Sequence, residues 1–492
     1  MNINRIAIAS LSIMSASLSN SASALDLYVD SATQQIYAAP GENRVKLGSF
    51  EKKEDIDKLK ATLKAEIEQE LKSKQDAQSE SQARTLAVDA ALAADNNPSQ
   101  TKSKERKGYT PASVGYGKNG FEFRTDDDKF SLAIQNRVQA RYAEPFDSDP
   151  RTLSDLDKNE NSFMIRRART KLNGHAYAPW LKYYLQYDWS QPVLRDLSLT
   201  IDKYKWAQVR VGRGKVSYNN ERVTSSGSQQ FVNRSIVNDI FTVDRQQGVE
   251  VKGNLFPGKW YDMTYYAGAF TGLGVGERNN DDNNMMYSGR LQWNAMGGEM
   301  KFSQSDIEIS EHPALNISIA ANTNQSKCTA FETDSRSCRN LRGFKDPSKS
   351  VADGGPQSGQ YEINQMMEEV HFKWKGFSFL HELHSKRIKD RLNNDLETKL
   401  LGGYVQAGYF PHGLFSAIPP GIELAGRYAF VDMNTDRDND KQTELSAVVN
   451  YFLEGHSNKL SLQLSRLTVE EPTVLNPEDS ENRIWAQWDF SF

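Results

Sequence analysis

From residue 129 onward the chain alternates apolar and polar residues with period two. Phe130, Leu132, Ile134, Val138, Ala140 and Tyr142 fall on one face, and Lys129, Ser131, Gln135, Arg137, Gln139 and Arg141 on the other; only Ala133 and Asn136 blur the alternation. A side-chain period of two is that of a β-strand with unlike faces. The run is long for a soluble sandwich and suits a tilted strand crossing a bilayer, which takes about 9–11 residues. The pattern returns at 181–189, 196–202, 422–430, 460–465 and 483–492. In the last of these, Ile484, Ala486, Trp488, Phe490 and Phe492 oppose Arg483, Gln487, Asp489 and Ser491. A terminal Phe492 in this series resembles the C-terminal aromatic signal of outer-membrane proteins.

Connections between these runs alternate in length. Pro179-Trp180, Lys203-Tyr204-Lys205, Pro257-Gly258 and Glu454-Gly455-His456 are tight, whereas 143–162, 217–242, 272–285, 325–360, 432–440 and 471–481 are long and polar. Short turns at one end and long loops at the other are the signature of an outer-membrane barrel. The expected fold is all-β, a transmembrane antiparallel β-barrel of about sixteen strands over residues 120–492, with both ends of the barrel on the short-turn side.

The segments ahead of the barrel differ in period. Residues 1–24 carry Arg5, an apolar stretch from Ile6 to Leu18 and Ala22-Ser23-Ala24, which reads as a secretory signal. Residues 25–50 suggest a short hairpin in a periplasmic segment. Over 51–94, Ile56, Leu59, Leu63, Ile67 and Leu71 form one narrow apolar stripe. That spacing predicts an amphipathic helix, either a short coiled coil or a solvated helix. Residues 95–119 read as a linker. Export makes a disulfide between Cys328 and Cys338, the only two cysteines, the expectation in an external loop.

Composition changes this picture in one respect. A mean hydropathy of −0.67 and a net charge of −4 suggest a soluble chain. No apolar run is long enough for a membrane helix, yet alternating strands hide their apolar half from such averages. The total also conceals a segregation. Residues 163–234 hold thirteen Lys and Arg against four Asp and Glu, a net of +9, which leaves −13 for the remainder. Strand parity places Arg167, Arg169 and Lys171 on one face, with Arg137 and Arg141 on the polar face of the preceding run. Arg166, Arg213 and Lys215 are ambiguous, and Arg213 and Lys215 share the lipid-side parity of Val209 and Val211. If the polar faces line the lumen, these residues form a ladder of guanidinium groups that selects anions; the other reading is charge that balances acidic loops or meets lipid headgroups. Loop 217–242 follows the fifth strand and adds Arg222, Ser225, Ser226 and Arg234 as donors.

Several runs together carry a family likeness. They are Phe163-Met-Ile-Arg-Arg-Ala-Arg-Thr-Lys-Leu172, Val209-Arg-Val-Gly212 with Lys215, Thr224-Ser-Ser226, Arg234-Ser-Ile-Val237, Asp244-Arg-Gln-Gln-Gly248, Tyr404-Val-Gln-Ala-Gly-Tyr-Phe410 and Asn450-Tyr-Phe-Leu453. In their order and spacing the chain resembles the phosphate-selective porin O and P family. The resemblance implies a homotrimer of 16-stranded barrels in the outer membrane of a diderm bacterium, with the N-terminal extension in the periplasm. It implies passage of phosphate or related anions along an arginine ladder to a constriction. By position, that constriction looks like Arg222, Ser225, Ser226 and Arg234, with Asp196 a weaker match. The family often has Lys where Arg222 stands, which keeps the charge and changes the donor geometry.

Enzymatic chemistry is not expected. Gly272-Leu-Gly-Val-Gly276 is not a dinucleotide fingerprint. His381 and His384 are three apart on a strand and therefore face opposite ways. No cofactor, metal or nucleic-acid partner is expected; the expected partners are anions and outer-membrane lipids. Besides the anion channel, two readings stay open: a general or carbohydrate porin, which needs an aromatic track, and a structural outer-membrane protein.

Overall fold

The computed structural model describes residues 25–30, 36–37, 44–50, 110–145, 152–156, 160–275, 279–331, 338–472 and 478–492. The expected signal, the helix over 51–94 and most of the linker lie outside the described residues. Residues 1–107 and 108–492 are separate units. In the first, Leu25–Asp30 pairs antiparallel with Ile36–Tyr37 and with Arg44–Phe50 to give a small three-stranded sheet.

The second unit is a closed antiparallel barrel. Its strands are β1 (Ser131–Glu144), β2 (Ser162–Ala176), β3 (Ala178–Asp188), β4 (Val193–Tyr204), β5 (Ala207–Lys215), β6 (Arg245–Leu255), β7 (Met263–Phe270) and β8 (Met286–Met296). They continue as β9 (Ala314–Ser326), β10 (Tyr361–Trp374), β11 (Phe377–Asp390), β12 (Leu396–Tyr409), β13 (Ile422–Asp432), β14 (Lys441–Glu454), β15 (Asn458–Glu470) and β16 (Glu478–Ser491). Each pairs with its sequence neighbour, and β16 closes the ring on β1 from Ile484↔Glu144 to Ser491↔Arg137. The Phe492 N–H donates to Asn136 O at 2.9 Å and Asn136 N–H to Phe492 O at 2.7 Å, so the final residue completes the seam. Where β16 ends, the hairpin Ala112–Gly117/Gly120–Thr125 takes over the free edge of β1, pairing Phe121↔Ile134 through Arg124↔Ser131. Part of the expected linker is thus a strand added to the barrel.

The burial pattern inverts that of a soluble protein. Leu460, Leu462, Leu464, Ile484, Trp488 and Phe490 are exposed on the outer surface, while Ser461, Gln463, Ser465, Gln487 and Asp489 are buried inside. This is the arrangement that lipid outside and polar groups inside impose. Strand height is uneven: β5 and β7 have 9 and 8 residues, whereas β10, β11 and β12 have 14 each.

The lumen is not empty. The loop 216–244 after β5 turns inward and carries two short helices, α1 (Asn220–Val223) and α2 (Ile236–Phe241). Ile236, Val237, Ile240 and Phe241 pack with Leu380, Leu400, Tyr404, Ala429 and Val431 of the β11–β13 wall. From the long-loop end, the hairpin Ala330–Phe331/Cys338–Arg339 rests on this cluster through Ala330, and Cys328 and Cys338 are joined as a disulfide. From the short-turn end, the turn 297–313 also enters: Gln304 Oε1 accepts the Gln230 N–H at 2.7 Å, and Ser305 Oγ donates to Glu423 at 2.9 Å.

Candidate functional site: an anion-facing constriction

The inward loop divides the lumen by charge. Carboxylates of the wall it packs against hold its backbone and side chains. Glu250 accepts from Ser217 N–H and Oγ at 3.0 Å each, and Glu369 from Asn220 N–H at 3.0 Å. Glu382 accepts from Glu221 N–H at 2.8 Å and Asn219 Nδ2 at 2.9 Å, and Glu444 from Ile236 N–H at 3.1 Å. Val216, Tyr218 and Val243 of the loop meet Phe270, Met286, Ala320 and Met367 in a dry cluster that fills the space beside them. The carboxylates on that side are thus used in anchoring, and Glu250, Glu369 and Glu444 are paired as well with Arg210, Arg290 and Arg427. Besides a cavity of about 250 Å³ against Glu250, Tyr266, Glu299 and Lys301, space remains between the loop and strands β1–β6, where the basic residues stand.

A cavity of about 250 Å³ occupies that space. Five cations, Arg169, Lys171, Arg210, Lys215 and Arg245, line it together with Ser225 and Ser226 of the loop, Tyr184, and one carboxylate, Asp196. Asp196 is neutralised: Arg245 donates to its two oxygens at 2.9 and 3.1 Å. Arg169 is held by Asp188 at 2.7 Å, Arg210 by Glu250 at 3.0 Å, and Lys171 donates to Gln135 Oε1 at 3.0 Å. Fixed donors in a low-dielectric recess attract anions far more strongly than the same groups in water.

The structure brings together Arg169, Lys171, Asp196, Ser225 and Ser226. Arg137 stands directly behind the two serines, donating to Ser225 Oγ at 3.1 Å and to Ser226 Oγ at 2.7 Å. Arg141 lies further along the same wall and donates to Gln487 Oε1, Asn233 Oδ1 and Val232 O. Arg167 donates to Gln139 Oε1 at 3.0 Å. Arg166 is the extra residue of a β-bulge, because Gln139 pairs with Arg167 while Ala140 pairs with Ile165. The bulge resets parity, so Phe163 and Ile165 join Ala168 and Thr170 on the outer face. Arg222 and Arg234 do not line the cavity. Arg222 is paired with Asp244, its Nε donating at 2.6 Å, and Arg234 donates to Glu221 O and Thr224 O at 2.9 Å each. Both shape the loop from within.

Two cavity cations, Arg210 and Arg245, are not singled out by the sequence, and strand parity puts a third, Lys215, on the lipid side. Arg210 was legible: it alternates with Val209 and Val211. Arg245 shares parity with Val249 and so looks lipid-facing, yet it is buried at the start of β6 on Asp196. Lys215 corrects the lipid-side reading: it follows Gly212 (φ 121°) and Gly214 at the end of β5, and its ammonium donates to Val223 O at 2.9 Å and Thr224 O at 3.1 Å inside the barrel.

The fold is that of a porin-like closed antiparallel barrel, with a buried network of Arg, Asp and Glu inside it. More particularly, residues 137–336 match the family model described as Phosphate-selective porin O and P, from β1 through the inward loop to the disulfide-bearing loop. No curated protein matches the chain. Among solved structures it is similar to the trimer form of OmpT, an outer membrane protein of Vibrio cholerae, at 10% identity and TM-score 0.49 over 74% of this chain and 100% of that one. It is similar to the anion-selective porin from Comamonas acidovorans at 11% identity and TM-score 0.47, over 74% and 100%. It is also similar to the outer membrane channel DcaP of Acinetobacter baumannii at 11% identity and TM-score 0.48, over 75% and 99%.

Proposed function

We propose that this barrel is a water-filled, anion-selective channel of the outer membrane that passes phosphate or polyphosphate by passive diffusion through the gap between the inward loop and strands β1–β6. The observation that carries the reading is the cavity, where five cations face a single carboxylate already bound by Arg245. Arg137, Arg141, Arg167, Arg169, Lys171, Ser225, Ser226, Arg222, Arg234 and Asp196 serve it as ladder, cavity wall or loop brace according to the contacts above, and Arg166, at the bulge of β2, would join the ladder by its place beside Arg167. A carbohydrate porin needs an aromatic track, and Tyr184 is the one aromatic residue lining the cavity.

A homotrimer would cover the low wall. The 9 and 8 residues of β5 and β7 reach a height of about 20–23 Å when tilted, short of the apolar band of about 25 Å that lipid requires. The helix over 51–94 would then serve as a periplasmic coiled coil or anchor, a reading that rests on its apolar stripe. The test is a planar bilayer held under a KCl gradient: the reversal potential should show anion preference, and added phosphate should half-block the chloride current. Cation preference would reject the assignment.

A further inference from the structure

We infer that Arg137 is a positioning residue: with Arg169 it fixes Ser225 and Ser226 as hydrogen-bond donors toward the cavity, so that the anion is recognised through two neutral hydroxyls whose polarity buried guanidinium groups impose. This rests on the anion-channel reading.

A serine hydroxyl ordinarily donates one hydrogen bond and accepts up to two, and so serves an anion and a hydrated cation alike. Here the choice is removed. Ser226 Oγ accepts from Arg137 Nη2 at 2.7 Å and from Arg169 Nη1 at 3.2 Å, which occupies both lone pairs. Ser225 Oγ accepts from Arg137 Nη1 at 3.1 Å and from the Gly227 N–H at 3.4 Å. Among the described residues neither hydroxyl donates to a protein acceptor, and both line the cavity. Each proton is left for whatever occupies that space. A hydroxyl oxygen bound by a cation is also a stronger donor than a free one, because successive hydrogen bonds polarise one another.

Arg137 itself is 3% exposed and does not line the cavity, so it acts through the serines rather than on the ion. Its place depends on Gly227: a Cβ there would stand 2.4 Å from Arg137 Nη1. The carboxylate and the amide oxygen of the lining, Asp196 and Gln186 Oε1, are both held by Arg245, which leaves the hydroxyls of Ser198 and Tyr184 as the other side-chain acceptors there. A cation entering the cavity would lose its hydration shell and find few oxygens to replace it. An oxyanion would find donors.

The test is a double-mutant cycle on the full-length channel in planar bilayers, reading the concentration of inorganic phosphate that half-blocks the chloride current. S226A should raise that concentration about tenfold, the loss of one hydrogen bond to a charged ligand. R137Q should raise it comparably, and R137Q/S226A should be no worse than the poorer single variant, because both remove the same donor. R137K, with one ammonium in place of a two-pronged donor, should recover only part of the loss. Multiplying effects in the double variant, or an unchanged half-block in R137Q channels of ordinary conductance, would overturn the inference. Absence of phosphate block in the unmodified channel would reject the proposed function and the inference with it; block that is intact there but multiplicative in the cycle rejects the inference alone.

Discussion

Glu382→Gln probes how the inward loop is seated. The side chain is fully buried on the lumen side of β11, with its two oxygens on Glu221 N–H at 2.8 Å and Asn219 Nδ2 at 2.9 Å and with His384 Nε2 at 3.0 Å. Glutamine preserves the shape but turns one acceptor into an amide donor that faces other donors. At least one buried N–H loses its partner, at a cost of about 1–3 kcal/mol. The second half of the loop is held by different forces. Ile236, Val237, Ile240 and Phe241 are buried apolar side chains, each worth about 1.5–3 kcal/mol, and together they outweigh the lost anchor. The loop should therefore keep α2 docked and loosen only at α1 and the segment 224–228. Ser225 and Ser226 sit there, so the constriction should blur while the barrel stays intact. A destabilisation of about 1–3 kcal/mol raises the population of the loosened state by about 5- to 150-fold. Single-channel recordings in KCl should show added current noise, brief higher-conductance openings and weaker phosphate block. If E382Q channels match the unmodified protein in noise, conductance and block, the acidic wall does not seat the loop.

Three other outcomes follow from local geometry. Gly227→Ala should displace the Arg137 guanidinium, since the added methyl carbon would stand 2.4 Å from it, and phosphate block should weaken as in R137Q; unchanged block would mean the loop shifts to make room. At the long-loop end, burial together with Asp432 and Glu470 pushes the Asp440 carboxyl from 3.8 to about 6, against Arg437 and Lys441. A raised carboxyl pKa means that the folded loop binds the proton more tightly than the open one, so its stabilisation is complete below 3.8 and is lost as pH rises through about 6. Hydrogen-exchange protection of 433–440, corrected for intrinsic rate, should fall across that window, and D440N should flatten the step. Reducing Cys328–Cys338 should make the loop 327–360 more sensitive to protease, because the bond closes a separation of 10 residues beside the hairpin that rests on α2. The barrel's own melting should be unaffected, as none of its ladders runs through that hairpin.

The alternation that predicts the barrel was legible because every spanning strand has one face in lipid and one in the lumen, a constraint that acts residue by residue. The same alternation counts loop 217–242 as the one after the fifth strand, but nothing in it says that this loop turns into the lumen. Parity failed where the backbone itself breaks period: at the Arg166 bulge, past Gly212 and Gly214 at Lys215, and at Arg245 beside the loop junction. Nor could local pattern find partners far apart in sequence, such as Arg137 with Ser226, 89 residues away, or the entry of turn 297–313 to meet Gln230. The largest gap was the purpose of the negative charge. A net of +9 in 163–234 invites attention to the cations alone, and the balancing −13 looks like loop solvation. In the folded barrel, part of that charge, on Glu250, Glu369, Glu382 and Glu444, accepts from loop donors, and Arg210, Arg290 and Arg427 pair with the first, second and fourth. The consequence is mechanistic. A carboxylate left facing water would have competed with the arginines for the same ion and offered cations a route. One committed to a buried N–H does neither, and it holds the loop to its own wall, beside which the cavity of the basic strands stays open. On the proposed channel reading, charge segregation along the sequence becomes division of labour across the lumen: acids fix the loop, and the bases beside it meet the anion.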